Sequence, residues 1–201
     1  MTLVKVCGMT RADDVEHAVR HGADMIGFVL VPWSPRGIDL ATVRALRGHV
    51  PADVEAIGVL AGETAEHAAH VLAEARLDRV QVYGPHAGAT AALLGDRALV
   101  ACRLPDDDPE SADPVVLDRR FDDAPDPDAL AAHWALAAQL ADQGRRVMLA
   151  GALTPSNVSA AITAARPWAV DVARGVEASH GAKDHDKLSA FLAAAREGAR
   201  A

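Results

Sequence analysis

Lys5 and Cys7 stand two apart in the run Leu3-Val4-Lys5-Val6-Cys7, so in an extended strand they share one face while Val4 and Val6 share the other. A lone thiol is often no more than a small buried hydrophobe. Here, however, three further polar side chains close apolar runs in the same manner: Gln81 after Val80, Asp118 after Val115-Val116-Leu117, and Asp171 after Val170. A carboxylate there is costly to bury unless it caps a helix, pairs with a cation or performs chemistry. If these runs are parallel strands of one sheet, their C-terminal ends converge and a thiol meets carboxyls around one mouth. Thiols and carboxyls both exchange protons, so a ligand held at that mouth would sit among titratable groups. Free Asp titrates at roughly 3.9 and free Cys at roughly 8.5. Burial is expected to raise the carboxyl, and a helix N-terminus after Gly8 and Thr10, with Lys5 as a nearby cation, is expected to lower the thiol.

The elements that must position these groups follow from a regular alternation. Short β-rich runs at residues 3–7, 24–30, 54–60, 79–82, 98–103, 114–118, 146–150 and 169–173 are separated by longer Ala-rich amphipathic stretches. That rhythm predicts eight βα units around a parallel sheet, hence an α/β fold, a (β/α)8 TIM barrel with a pocket at the C-terminal ends of its strands. The competing topology is an open flavodoxin-like sheet, which needs fewer strands. Helix starts are expected at Thr10 with Asp13, Asp39, Thr64, Pro155 after Thr154, and Asp184 to Asp186. The acidic, proline-bearing segment 106–114 predicts a shortened fifth helix, and 119–128 a loop before a helix over 129–142. No linker divides the chain, so one compact domain over 1–201 is expected.

Composition excludes several classes of function. Twenty Lys and Arg against 28 Asp and Glu give a net charge of −8, the wrong sign for tracking a nucleic-acid backbone. A pocket can still hold an anion with backbone N–H groups and one or two arginines. Cys7 and Cys102 are the only cysteines and lie in no ligand cluster, which suits free thiols in a reducing compartment and a cytoplasmic protein. No leader pattern and no run of 18 apolar residues is present, so no membrane partner is expected. Histidines such as His17, His67, His70, His180 and His185 form no ligand spacing, and Asp106-Asp107-Asp108 reads as a solvated run, so no metal is expected.

The ordered strings Lys5-Val6-Cys7-Gly8-Met9-Thr10, Gly22-Ala23-Asp24 with Gly27-Phe28, Ser34-Pro35-Arg36, Val80-Gln81-Val82-Tyr83-Gly84 and Val116-Leu117-Asp118 resemble the phosphoribosylanthranilate isomerase family of tryptophan biosynthesis. So do Leu149-Ala150-Gly151-Ala152-Leu153-Thr154-Pro155-Ser156-Asn157-Val158, Val170-Asp171-Val172-Ala173-Arg174-Gly175-Val176-Glu177 and the closing Gly181-Ala182-Lys183-Asp184. The resemblance implies an isomerase that needs no cofactor and takes a phosphorylated small molecule, N-(5-phosphoribosyl)anthranilate, through an Amadori rearrangement. It implies Asp118 as general acid at the ring oxygen and Cys7 as general base at the adjacent carbon. It further implies Arg36 as the clamp for the anthranilate carboxylate, Gln81 and Asp171 as substrate contacts, with Asp171 at a sugar hydroxyl, and Gly151, Ala152, Ala173, Arg174 and Gly175 as the phosphate cradle. The chain is expected to act as a monomer or homodimer.

Several positions depart from the family pattern. Ala152 stands where the family has a second glycine, Ala173 and Arg174 where it has small residues such as Ser, and Tyr83 where it has His. The family's glycine-rich loop and Phe-Asp-Trp after the sixth strand are replaced by 119–128 and Ala132-His133-Trp134. These changes leave two alternatives open: a same-fold isomerase for another N-ribosyl phosphate or aminosugar, and a non-catalytic phosphometabolite-binding barrel.

Overall fold

Eight parallel strands close on themselves in the computed structural model, which describes residues 1–104, 112–119 and 126–199. They are β1 (Leu3–Val6), β2 (Met25–Val29), β3 (Glu55–Ala61), β4 (Arg79–Tyr83), β5 (Ala98–Leu104), β6 (Val115–Arg119), β7 (Val147–Leu149) and β8 (Ala169–Val172). Each lies within one residue of a predicted run at either end. Neighbours pair in chain order, and β8 returns to β1 with Leu3 opposite Ala169 and Lys5 opposite Asp171. Closure of eight strands is the expected barrel and rules out the open flavodoxin-like sheet.

Seven α-helices are present among the described residues: α1 (Ala12–Arg20), α2 (Leu40–Arg47), α3 (Ala65–Glu74), α4 (Ala87–Leu94), α5 (Pro127–Asp142), α6 (Val158–Ala165) and α7 (His185–Gly198). Of the segment 106–114, expected to hold a shortened fifth helix, residues 106–111 lie outside the described ones, and 112–114 are not helical. Three predicted caps form. Asp39 accepts from the Thr42 amide at 2.7 Å, Thr64 from His67 at 3.2 Å, and Asp184 from Asp186 and Lys187. Two starts differ. Arg11, not Thr10, precedes α1, because the Thr10 hydroxyl donates instead to the Gly181 carbonyl and ties the β1 loop to the C-terminal hairpin. Helix α6 begins three residues after Pro155, because Asn157 folds back, accepting from the Thr154 amide and donating to the Ala152 carbonyl.

Alternation along each strand sorts side chains into two layers. Outward residues such as Val4, Val6, Ile26, Val80, Leu117 and Val170 pack under the helices in the larger apolar cluster. Inward residues Met25, Ile57, Leu99, Val116, Met148 and Ala169 fill the barrel's lower interior. Above them the inward positions turn polar at Lys5, Gln81 and Asp171, all buried. Cys7, Val29, Val31 and Val59 form a further small cluster at the cavity floor. Gly27 makes room for this arrangement: a Cβ there would lie 2.9 Å from the Cys7 Sγ and 3.2 Å from the Lys5 Cε.

Candidate active site

All ten residues singled out as catalytic or substrate-binding line one cavity of about 720 Å³ at the C-terminal ends of the strands. That volume suits a ligand of cofactor or drug size. Cys7 follows β1 and is 8% exposed. Lys5, with no exposed surface, donates from Nζ to Asp171 Oδ2 at 2.8 Å across the β1–β8 seam. The expectation of a lowered thiol pKa is overturned. Burial pushes the Cys7 thiol above its ordinary value; Lys5 and Lys183 pull it down, Asp171 adds to the rise, and the balance stays upward. The helix expected to begin near Cys7 starts only at Ala12, and Lys5 is shared with Asp171.

Asp118 is the penultimate residue of β6, half-buried in the cavity wall. Its Oδ1 accepts from the Arg119 amide at 2.8 Å and its Oδ2 from the Tyr83 hydroxyl at 3.0 Å. Burial raises its pKa, and these two bonds, which favour the ionised form, only partly oppose the rise. The direction is the one a general acid needs. Tyr83 in turn accepts from Gln81 Nε2 at 2.9 Å, and Arg103 lies over its ring at 4.9 Å. Burial and the surrounding negative charges hold Tyr83 well above its ordinary range, so its hydroxyl is a permanent donor. Gln81 Oε1 and Asp171 Oδ1 are buried and make no hydrogen bond among the described residues. Two unsatisfied acceptors in a polar cavity call for hydroxyl donors from a ligand.

The loops after β7 and β8 supply the rest of the wall. Gly151 and Ala152 both have positive φ, +88° and +56°, which turn the chain sharply at the end of β7. Ala152 thus holds a left-handed conformation that glycine adopts at no steric cost. Buried His133 on α5 donates from Nε2 to the Ala150 carbonyl at 2.9 Å and pins the start of this loop. Ala173 follows β8, and Arg174 and Gly175 begin a short 3₁₀ turn, Arg174–Val176. That turn leads into an antiparallel hairpin, β9 (Glu177–Ser179) and β10 (Ala182–Lys183).

Arg36 reaches the cavity from the loop after β2, its stem lying over Gly8, where a Cβ would come within 2.6 Å of Arg36 Cδ. Its Nε and Nη2 donate to the two carboxylate oxygens of Glu177 at 2.7 and 2.6 Å. Sequence reasoning singled out neither Glu177 nor Lys183 as a site residue, though both stand in the motifs quoted above. Nothing in local spacing links positions 141 residues apart. Arg103 and Arg119 also line the cavity and escape sequence reasoning, since an arginine at or next to a strand's end looks like an ordinary surface residue. Among the described residues no group of three or more His, Cys, Asp or Glu side chains is placed to hold a metal ion, and no helix is long and apolar enough to cross a membrane.

A closed barrel whose polar cavity is walled by strand ends and βα loops has the architecture of the small-molecule barrel enzymes. Residues 4–194 match the family model described as N-(5'phosphoribosyl)anthranilate (PRA) isomerase, and the chain belongs to this family. It is 40% identical over 218 residues to the N-(5'-phosphoribosyl)anthranilate isomerase of Roseiflexus castenholzii, covering 98% of this chain and 100% of that one. It is 36% identical to the same enzyme of Pseudomonas fluorescens, over 96% and 97% of the two chains. The crystal structure of phosphoribosyl anthranilate isomerase from Thermotoga maritima superposes with a TM-score of 0.86 at 30% identity, covering 98% of this chain and 100% of that one.

Proposed function

We propose that Asp118 and Cys7 are the acid and base of an Amadori rearrangement carried out in this cavity. The chain is an isomerase of tryptophan biosynthesis, converting N-(5'-phosphoribosyl)anthranilate to 1-(2-carboxyphenylamino)-1-deoxyribulose 5-phosphate. The observation that carries the assignment of roles is the meeting of a thiol from the end of β1 and a carboxyl with raised pKa from the end of β6 in one cavity.

Asp118, protonated, gives its hydrogen to the furanose ring oxygen as the bond from that oxygen to the anomeric carbon breaks, leaving an open-chain iminium ion. Cys7, as thiolate, takes the proton from the adjacent carbon, and the electrons of that C–H bond neutralise the iminium to give the enolamine. Tautomerisation yields the aminoketose. Arg36 faces the anthranilate carboxylate with a planar fork of donors. The amides of the Gly151–Ala152 and Ala173–Gly175 loops receive the phosphate. Asp171 Oδ1 and Gln81 Oε1, the two unsatisfied acceptors, take ribose hydroxyls.

The test follows the fluorescence of freshly prepared phosphoribosylanthranilate. Wild-type protein extinguishes it, while Cys7→Ser and Asp118→Asn each slow the loss by about 10²- to 10⁴-fold with melting temperatures unchanged. Binding without turnover by the wild type indicates a non-catalytic barrel, and neither binding nor turnover indicates another N-ribosyl substrate. Full activity in either variant removes that residue from the mechanism.

A further inference from the structure

The carboxylate clamp is itself held by a carboxylate. Arg36 lies on a loop, where a long side chain has many rotamers to lose on binding. Glu177 takes both oxygens to its side edge, the Nε and Nη2 hydrogens, at 2.7 and 2.6 Å. This leaves Nη1 and the second hydrogen of Nη2, a complete second edge able to hold another carboxylate in two bonds. We propose that Glu177, supported by Lys183, is a positioning residue that grips one edge of Arg36 and so presents the other to the aryl carboxylate of the substrate. The proposal rests on the function assigned above.

An anion beside a clamp for anions is ordinarily a competitor, and Lys183 resolves the conflict. Its side chain has no exposed surface, and Nζ lies 3.1 Å from Glu177 Oε1. Two cations and one anion leave a single positive charge in the group, available to a ligand. Lys183 Nζ also donates to the Cys7 carbonyl at 2.7 Å and the Ala173 carbonyl at 3.1 Å. One ammonium thus ties Glu177 to the end of β1 and to the loop after β8, fixing the clamp relative to the base and the phosphate loop. A pair this deeply buried contributes little net stability against an apolar replacement. A role in placing Arg36 accounts for charged groups at these positions.

The experiment compares the wild type with Glu177→Gln, Arg36→Met and the double variant, using the fluorescence assay and equilibrium binding of two ligands. One ligand is 1-(2-carboxyphenylamino)-1-deoxyribulose 5-phosphate; the other is ribulose 5-phosphate, which lacks the aryl carboxylate. Glu177→Gln is expected to raise KM about tenfold or more, with kcat changed by less than about threefold. It is expected to weaken the first ligand and not the second, and to add nothing in the Arg36→Met background. Equal weakening of both ligands, additive effects with Arg36→Met, or an unchanged KM overturns the proposal and leaves a purely structural ion pair. If Glu177→Gln does not fold, the same ligand comparison on Glu177→Gln with Lys183→Met, which removes both buried charges, decides the matter by the same two outcomes. Failure of the wild type to turn over phosphoribosylanthranilate refutes the function itself; turnover by the wild type with an unselective Glu177→Gln refutes only the positioning role.

Discussion

Gly27→Ala places one methyl group where the Cys7 thiol needs space. The added Cβ would meet Cys7 Sγ at 2.9 Å, Cys7 Cα at 3.1 Å and Lys5 Cε at 3.2 Å. All three neighbours lie in the barrel interior, and one is backbone, so rotating a surface side chain cannot relieve the crowding. Overpacking of this kind costs about 1–3 kcal/mol, which for a chain of this length lowers the melting temperature by roughly 2–12 °C. The catalytic cost is separate. The sulfur must shift by a few tenths of an ångström or change rotamer, and a displacement on the order of 1 Å costs about 10²-fold. We therefore expect kcat to fall by about 10- to 100-fold. KM should change little, since none of the three crowded atoms belongs to Arg36 or the phosphate loops. Gly58→Ala is the control. On β3 its Cβ would meet Leu77 Cδ1 at 2.7 Å, Leu30 Cδ1 at 3.2 Å and Val80 Cγ1 at 3.9 Å, side-chain ends on the outer face of the barrel, so it should lower stability and leave kcat intact. The assay is the time course of phosphoribosylanthranilate fluorescence, paired with thermal unfolding. A folded Gly27→Ala with wild-type kcat, or one whose loss lies wholly in KM, refutes the placement of Cys7 at the reacting carbon.

The pH dependence of kcat/KM should be bell-shaped. In the proposed mechanism the active form pairs a thiolate with a protonated carboxyl, so activity is lost as pH falls through the Asp118 pKa, when both groups are protonated, and as pH rises through that of Cys7, when neither is. Because burial raises both, the acid limb should lie above the usual carboxylate range and the alkaline limb above the usual thiol range. Tyr83→Phe removes a bond that favours ionised Asp118, so its acid limb should move to higher pH while the alkaline limb stays; an unmoved acid limb assigns that limb to another group. Ala152→Gly relieves a left-handed alanine and should stabilise the fold by up to about 1 kcal/mol, seen as a higher melting temperature. A lower melting temperature would mean that the loop pays no strain there.

The barrel was legible because period-two alternation is a local property. Steric repulsion between adjacent residues sends Lys5 and Cys7, Gln81 and Tyr83, Val116 and Asp118 to common faces wherever the chain is extended, and closely covered strands tolerate only short apolar runs. Caps at Asp39, Thr64 and Asp184 were legible for the same reason, since a side chain reaching an amide two or three residues on needs no distant partner. Thr10 and Pro155 misled because their neighbours found better bonds: the Gly181 carbonyl lies 171 residues from Thr10, and Asn157 closed its own turn first.

The ordered motifs named the family and the residues that face the cavity, whereas the state of those residues was set by contacts that span the chain. Sequence neighbourhood makes Lys5 a cation for Cys7, yet closure of the barrel puts Asp171, 166 residues away, within 2.8 Å of it. Burial first, with that carboxylate adding to it, makes the thiol rise where local reasoning expects a fall. The sequence makes Arg36 a candidate for the cavity wall, but its anchor on Glu177 and Lys183 exists only because the last hairpin folds over the loop after β2. Strand and helix are dictated by interactions between neighbours in sequence, so one dimension suffices to see them. Burial and charge act through space, and their balance at Cys7, Asp118 and Arg36 was decided only when β8 met β1 and the cylinder closed.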